Sequence, residues 1–89
     1  MKTYTIGRNI NAGICLSQVA EAATVSDYHA DITPSPDGAK FHVVDRGSTN
    51  GTFVWDGKAW EKITQRVVQP DTLLSFGKFR ASPSQLLRR

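Results

Sequence analysis

The chain has one cysteine among its 89 residues, so no internal disulfide can hold it together. One Cys and two separated His also fall short of a metal-ligand set. No apolar run comes near the roughly 20 residues that cross a bilayer. The opening Met1-Lys2-Thr3-Tyr4-Thr5-Ile6 lacks the long apolar centre of a secretory signal, and a cytoplasmic setting is the expectation. Helical periodicity is almost absent, as are repeats, linkers and low-complexity segments. There is no nucleophile elbow and no P-loop lysine motif, and a Ser-x-x-His spacing at Ser26 and His29 does not make a triad. The sequence therefore predicts no catalytic residue, no metal and no cofactor. Cys15, within Ile14-Cys15-Leu16, is expected to pack as a small hydrophobe.

What remains is an ordinary soluble composition, 39% hydrophobic and 21% charged, sized for one domain over 1–89 with its core at about 4–81. The net charge of +3 is unevenly spread: residues 1–45 carry three basic and five acidic side chains, residues 46–89 eight and three. A basic half favours anionic partners by long-range attraction. The charges are scattered, however, and part of the excess is the terminal Arg88-Arg89, which favours a plain solvated surface. Aromatic residues interleaved with Lys/Arg on one exposed face are not evident, which disfavours a nucleic-acid-binding small barrel.

Short alternating runs dominate. Tyr4 and Ile6 alternate with Thr3 and Thr5 in a strand ending at Gly7, and Ile14-Cys15-Leu16 forms a brief second one. Ser17 to Thr24 suits one helical turn. Tyr28 to Thr33 and Lys40 to Asp45 flank the turn signal Pro34-Ser35-Pro36-Asp37-Gly38, with Ala30 and Ile32 on one face and His42 toward solvent. Thr52 to Trp55 leads into Asp56-Gly57, read as a two-residue hairpin connection. Trp60, Ile63, Val67 and Val68 supply further apolar contacts, and Trp55 and Trp60 suit core or hairpin packing. Thr72 to Phe76 turns through Gly77-Lys78 into Phe79-Arg80-Ala81. A closing helical turn at 83–87 has Ser82 as cap and Pro83 first. Such spacing argues for an all-β antiparallel sandwich or barrel.

Three polar groups stand at strand ends: Gly7-Arg8, Ser26 with His29, and Ser48-Thr49-Asn50. Sandwich loops cluster at the two ends, so these groups can meet. A guanidinium fork, hydroxyl donors and a carboxamide together suit a phosphate carried on an extended peptide. The last group lies in Asp45-Arg46-Gly47-Ser48-Thr49-Asn50-Gly51-Thr52-Phe53-Val54, where two glycines permit positive φ in a tight loop.

Taken in order, Gly7-Arg8, Ser26-Asp27-Tyr28-His29, Asp45 to Thr52 and Asp71-Thr72-Leu73-Leu74-Ser75-Phe76-Gly77 resemble the forkhead-associated (FHA) domain over about Tyr4 to Phe79. The resemblance implies a sandwich of two antiparallel sheets with binding loops at one end. It implies a non-enzymatic module that binds phosphothreonine in a partner protein, such as a Ser/Thr kinase or its substrate, for phosphorylation-dependent assembly in signalling. Arg8 and Ser26 would contact the phosphate with help from Thr49, and Asn50 would hold the peptide backbone. Gly7, His29 and Gly51 would brace the pocket. The threonine methyl would fill a small apolar pocket, a contact of roughly 0.8 kcal/mol.

Two features depart from the family pattern. Asp27 stands where a basic residue or neutral amide is common, and is expected to modulate affinity. A like charge at about 7 Å in an effective dielectric of about 20 costs on the order of 2 kcal/mol, less if Asp27 faces solvent or pairs with Arg46. The connection from Ser17 to Val25 is long, beside the implied groove. The alternative is an FHA-fold scaffold that has lost phosphothreonine recognition.

Overall fold

In the computed structural model, which describes residues 2–87 with the Glu21 side chain excepted, nine strands form two sheets. The terminal Arg88-Arg89 pair lies outside the described residues. The strands are β1 (Tyr4–Gly7), β2 (Ile14–Cys15), β3 (Ala30–Pro34), β4 (Phe41–Asp45), β5 (Thr52–Trp55), β6 (Trp60–Ile63), β7 (Gln65–Val68), β8 (Leu74–Phe76) and β9 (Phe79–Ala81). One sheet runs β2-β1-β3-β4-β7 and the other β6-β5-β8-β9. All pairings are antiparallel except β1 with β2, where Ile6 sits opposite Ile14.

Strand parity follows the apolar residues. Ile6, Ala30, Ile32 and Val43 point inward from the first sheet, and Val54, Leu74 and Phe76 from the second, in one buried cluster. Each buried Val, Ile, Leu or Phe side chain among them contributes about 2 kcal/mol. Consecutive strands β6 and β7 belong to different sheets, with Thr64 between them accepting a hydrogen bond from Asp45 N (2.8 Å). The closing helix α1 (Pro83–Leu87) buries Leu86 in the same cluster. Its start is capped reciprocally: Gln85 N donates to Ser82 Oγ (3.3 Å) and Ser82 N to Gln85 Oε1 (2.9 Å).

Several expectations change. Cys15 is exposed, its thiol donating to Ser17 Oγ at 3.2 Å, because β2 sends Ile14 rather than Cys15 inward. Val67 is 58% exposed, since the pairing of Phe41 with Val68 gives the inward position to its neighbour. The chain reverses over Asp56 to Ala59, not through Asp56-Gly57 alone, because the Asp56 carboxylate accepts from Lys58 N (2.7 Å) and Ala59 N (2.8 Å). His42 does face solvent and finds a cross-strand partner in Gln65 (3.1 Å). Trp55 and Trp60 pack on one another across the β5–β6 hairpin, ring centroids 5.3 Å apart, on the outside of the four-stranded sheet. By register Lys62 and Arg80 share that side, so aromatic and basic residues are interleaved on one outward face after all.

Ser17 to Thr24 contains a 3-10 turn at Ala20–Ala22. The connection is anchored by Leu16, Ala22 and Val25, all buried. Its final residues reach the loop end of the sandwich.

Candidate functional site

At that end the loops after β1, before β3, after β4 and after β8 are stitched together. Arg8 N donates to Ser26 O (3.1 Å) and Asn9 N to Asp27 O (3.1 Å), so the chain leaving β1 runs against the chain entering β3. A Cβ on Gly7 would overlap the Asp27 carbonyl, and only glycine allows this approach.

His29 ties these segments to the third loop. It is fully buried and sits edge-on to Phe76, centroids 5.6 Å apart. Its Nδ1 accepts from Ser26 N (3.0 Å), which fixes the neutral tautomer whose Nε2–H donates to Gly51 O (2.8 Å). Burial pushes its pKa down, against the Gly51 bond, which favours the proton. Bonded at both nitrogens, this imidazole braces the loop.

The third loop is built around Asp45. Oδ2 accepts from Gly47 N (2.9 Å) and Ser48 N (3.1 Å), and Oδ1 from Ser48 Oγ (2.5 Å) and Thr52 Oγ1 (2.8 Å). Partial burial pushes this carboxyl up, but the donors outweigh it and hold the pKa below its ordinary value. Gly51 N donates to Ser48 Oγ (3.1 Å), closing the turn, and Gly51 takes φ +85°. The carbonyl of Gly51 also accepts from Gly77 N (3.0 Å), which joins the loop to the β8–β9 turn.

On this frame sit the four residues expected to face a ligand. Arg8, Thr49 and Asn50 are exposed and Ser26 is half-buried. Thr49 N donates to Ser26 Oγ (3.0 Å), leaving that hydroxyl its own hydrogen to donate, and the Thr49 hydroxyl has no partner among the described residues. Arg8 Nη1 donates weakly to Ala23 O (3.4 Å) and Asn50 Nδ2 to Thr24 O (2.7 Å). The rim thus combines a guanidinium with N–H groups to spare, two hydroxyl donors and a carboxamide. This is chemistry suited to a tetrahedral anion next to a peptide bond.

Asp27 is exposed and makes no ion pair among the described residues. Arg46 turns to Asp31 (3.3 Å) and lies over the Tyr28 ring.

Thr24 is the residue the sequence did not flag. Its carbonyl accepts from Asn50, its hydroxyl accepts from Lys78 N (2.7 Å), and a Cβ on Gly77 would overlap both atoms. Nothing local marks it, because its partners lie far along the chain. The Asp45 bracket had a signal, an Asp followed by Gly and Ser two and three residues on, which is the pattern of an Asx turn.

Among the described residues no helix is long and apolar enough to cross a membrane. No curated protein matches the chain. Among solved structures, the FHA domain of the CT664 protein from Chlamydia trachomatis is similar, with 30% identity and a TM-score of 0.71 over 89% of this chain and 72% of that one. An FHA domain studied for phosphothreonine-dependent interactions shares the fold at 23% identity and TM-score 0.69, covering 88% and 71%. So does the FhaA FHA domain complexed with the intracellular domain of Rv3910, at 22% identity and TM-score 0.66, covering 88% and 75%. The FHA domain profile matches residues 4–77, and the chain belongs to the FHA domain family.

Proposed function

We propose that this FHA domain is a non-enzymatic binding module for phosphothreonine in a partner protein, acting in phosphorylation-dependent assembly in the cytoplasm. Arg8, Ser26 and Thr49 take the phosphate and Asn50 takes the adjoining peptide backbone. The observation that carries this reading is the Thr49 N to Ser26 Oγ bond, which draws two hydroxyls from separate loops to one rim with both hydrogens available. A phosphothreonine brings close to two negative charges and three acceptor oxygens, which one guanidinium and two hydroxyls can satisfy. An unmodified threonine offers that set nothing comparable. Solved relatives support the reading, since one was studied for phosphothreonine-dependent interactions and another was captured with a protein partner.

Binding has a local cost. Ala23 O and Thr24 O already hold Arg8 and Asn50, and a ligand must loosen or share these contacts. The same observation favours the second reading, a scaffold contact in which the connection closes the rim to phosphate.

The two readings separate in one titration. A degenerate phosphothreonine peptide library, with phosphoserine and unphosphorylated counterparts, is titrated against the wild type and Arg8→Ala. Phosphothreonine-selective binding that falls at least about tenfold in Arg8→Ala supports the module, a factor that corresponds to about 1.4 kcal/mol. Absence of phospho-dependent binding sinks it in favour of the scaffold.

A further inference from the structure

The outer face of the four-stranded sheet has a composition the loop site does not use. By register, its outward positions are Phe53, Trp55, Trp60, Lys62, Ser75 and Arg80: three aromatics, two cations and no carboxylate. Glu61 has the opposite parity and pairs with Arg66 (2.8 Å). Neither Lys62 nor Arg80 has an ion-pair partner among the described residues. The Arg80 guanidinium instead lies 5.0 Å from the Trp60 ring centroid. A cleft of about 250 Å³ opens between Phe53, Trp60, Ser75, Gly77 and Arg80.

We propose that this face is a second protein-docking surface, taking an acidic partner segment that seats one apolar side chain between Phe53 and Trp60 and places a carboxylate on Arg80. Trp and Arg clustered around a pocket are the residues on which binding energy concentrates. The cleft is smaller than the roughly 300–1,000 Å³ of small-molecule sites, which suits a single side chain. Charge selects the occupant: unpaired cations with no acid among them attract an acidic segment and suppress basic ones. A second copy of this chain would bring the same cations face to face. Single-stranded nucleic acid fits less well, because sequence-tolerant stacking needs open rings in succession, whereas the cleft between Phe53 and Trp60 admits a single group.

Position supports the same conclusion. Gly77 lines the cleft and donates to Gly51 O, one residue beyond Asn50, so the face begins where the loop rim ends. A partner engaged at both would gain through effective concentration without any new contact at the rim. The surface itself needs no phosphate, and its test is independent of the loop site.

Both tryptophans of the chain lie on this face, so their emission reports it directly. Two pools of unphosphorylated ten-residue peptides are titrated, each with a central Phe or Leu, one flanked by Asp and Glu and the other by Lys. The acid-flanked pool is expected to shift the emission saturably below about 1 mM, the weak end of specific binding. Arg80→Glu and Arg80→Gln, checked for folding by thermal unfolding, should weaken it at least about tenfold. Arg8→Ala should leave it unchanged. Any one of five results overturns the proposal: no emission change, equal response to the Lys-flanked pool, unchanged affinity in the Arg80 variants, loss in Arg8→Ala, or a stronger response to a twelve-residue oligothymidylate than to the acidic pool.

Discussion

Two sets of polar groups meet at the loop end, and they differ in how completely their hydrogen bonds are used. The inner set, His29, Asp45, Ser48 and Gly51, is closed: both imidazole nitrogens, both carboxylate oxygens, the serine hydroxyl and the glycine carbonyl have partners within the chain. The outer set, Arg8, Ser26, Thr49 and Asn50, sits on that frame with donors to spare. Removing an inner group orphans partners that are buried or half-buried, such as Thr52 and Ser48, whereas removing an outer one leaves groups that water can satisfy. The difference separates what holds the site from what the site can hold.

Asp45→Ala should break the comparison most severely. It strips two backbone amides and two hydroxyls of their acceptor and is expected to lower unfolding stability by about 4 kcal/mol, read from the midpoint of urea denaturation. Gly7→Ala should follow at about 3 kcal/mol, because its Cβ must displace the Asp27 carbonyl and with it the junction of two loops. A nearly normal midpoint in either variant would remove the distinction between frame and rim.

Protonation probes the frame without a mutation. Folded His29 stays neutral, since a second ring proton would face Ser26 N–H, while the unfolded chain takes that proton near the ordinary value of about 6.5. The unfolded state therefore binds more protons as the solution is acidified. Stability from this group is complete above about pH 6.5 and is lost as the pH falls toward the lowered folded pKa. Asp45 acts in the same direction further down, below about pH 3.9, where the unfolded carboxyl is protonated first. Urea midpoints at pH 7.5 and 5.5 should differ in the wild type and differ less in His29→Gln.

Smaller effects sharpen the contrast. Thr24→Val removes the acceptor of Lys78 N and should cost about 1 kcal/mol. Rim substitutions should hardly register: Arg8→Ala and Asp27→Asn are expected to change stability by no more than about 0.5 kcal/mol. Their effect belongs in the peptide titration, where Asp27→Asn should tighten phosphothreonine binding. An unchanged dissociation constant would remove Asp27 from the account of affinity.

How much of this was readable beforehand depended on whether the information was local. The β3–β4 hairpin was legible, because Ala30 and Ile32 alternate with polar residues and Ser35-Pro36-Asp37-Gly38 has its own turn chemistry. Cys15 and Val67 defeat a local reading because each adjoins another apolar residue, and only pairing decides which of two neighbours points inward. That β6 and β7 part into different sheets had no sequence signal, with a lone Thr64 between them. Nor did the outward aromatic and basic face, whose six residues come from four strands and share a side only once the register is set. In the loop end, Arg8, Ser26, Thr49 and Asn50 were visible as an ordered set of short motifs. Thr24 was not, because its role rests on a carbonyl and a hydroxyl whose partners are supplied by distant loops.

The Thr24 to Lys78 contact spans 54 residues. Closing so long a loop is entropically costly, and contacts of that separation tend to form after local hairpins have reduced the search. The rim near Asn50 is thus expected to be among the last regions to consolidate during folding and among the first to open. In a chevron experiment Thr24→Val should leave the folding limb in place and raise the unfolding limb. A chain that has completed only its hairpins would then present no finished rim, so recognition at this end would be restricted to fully folded molecules.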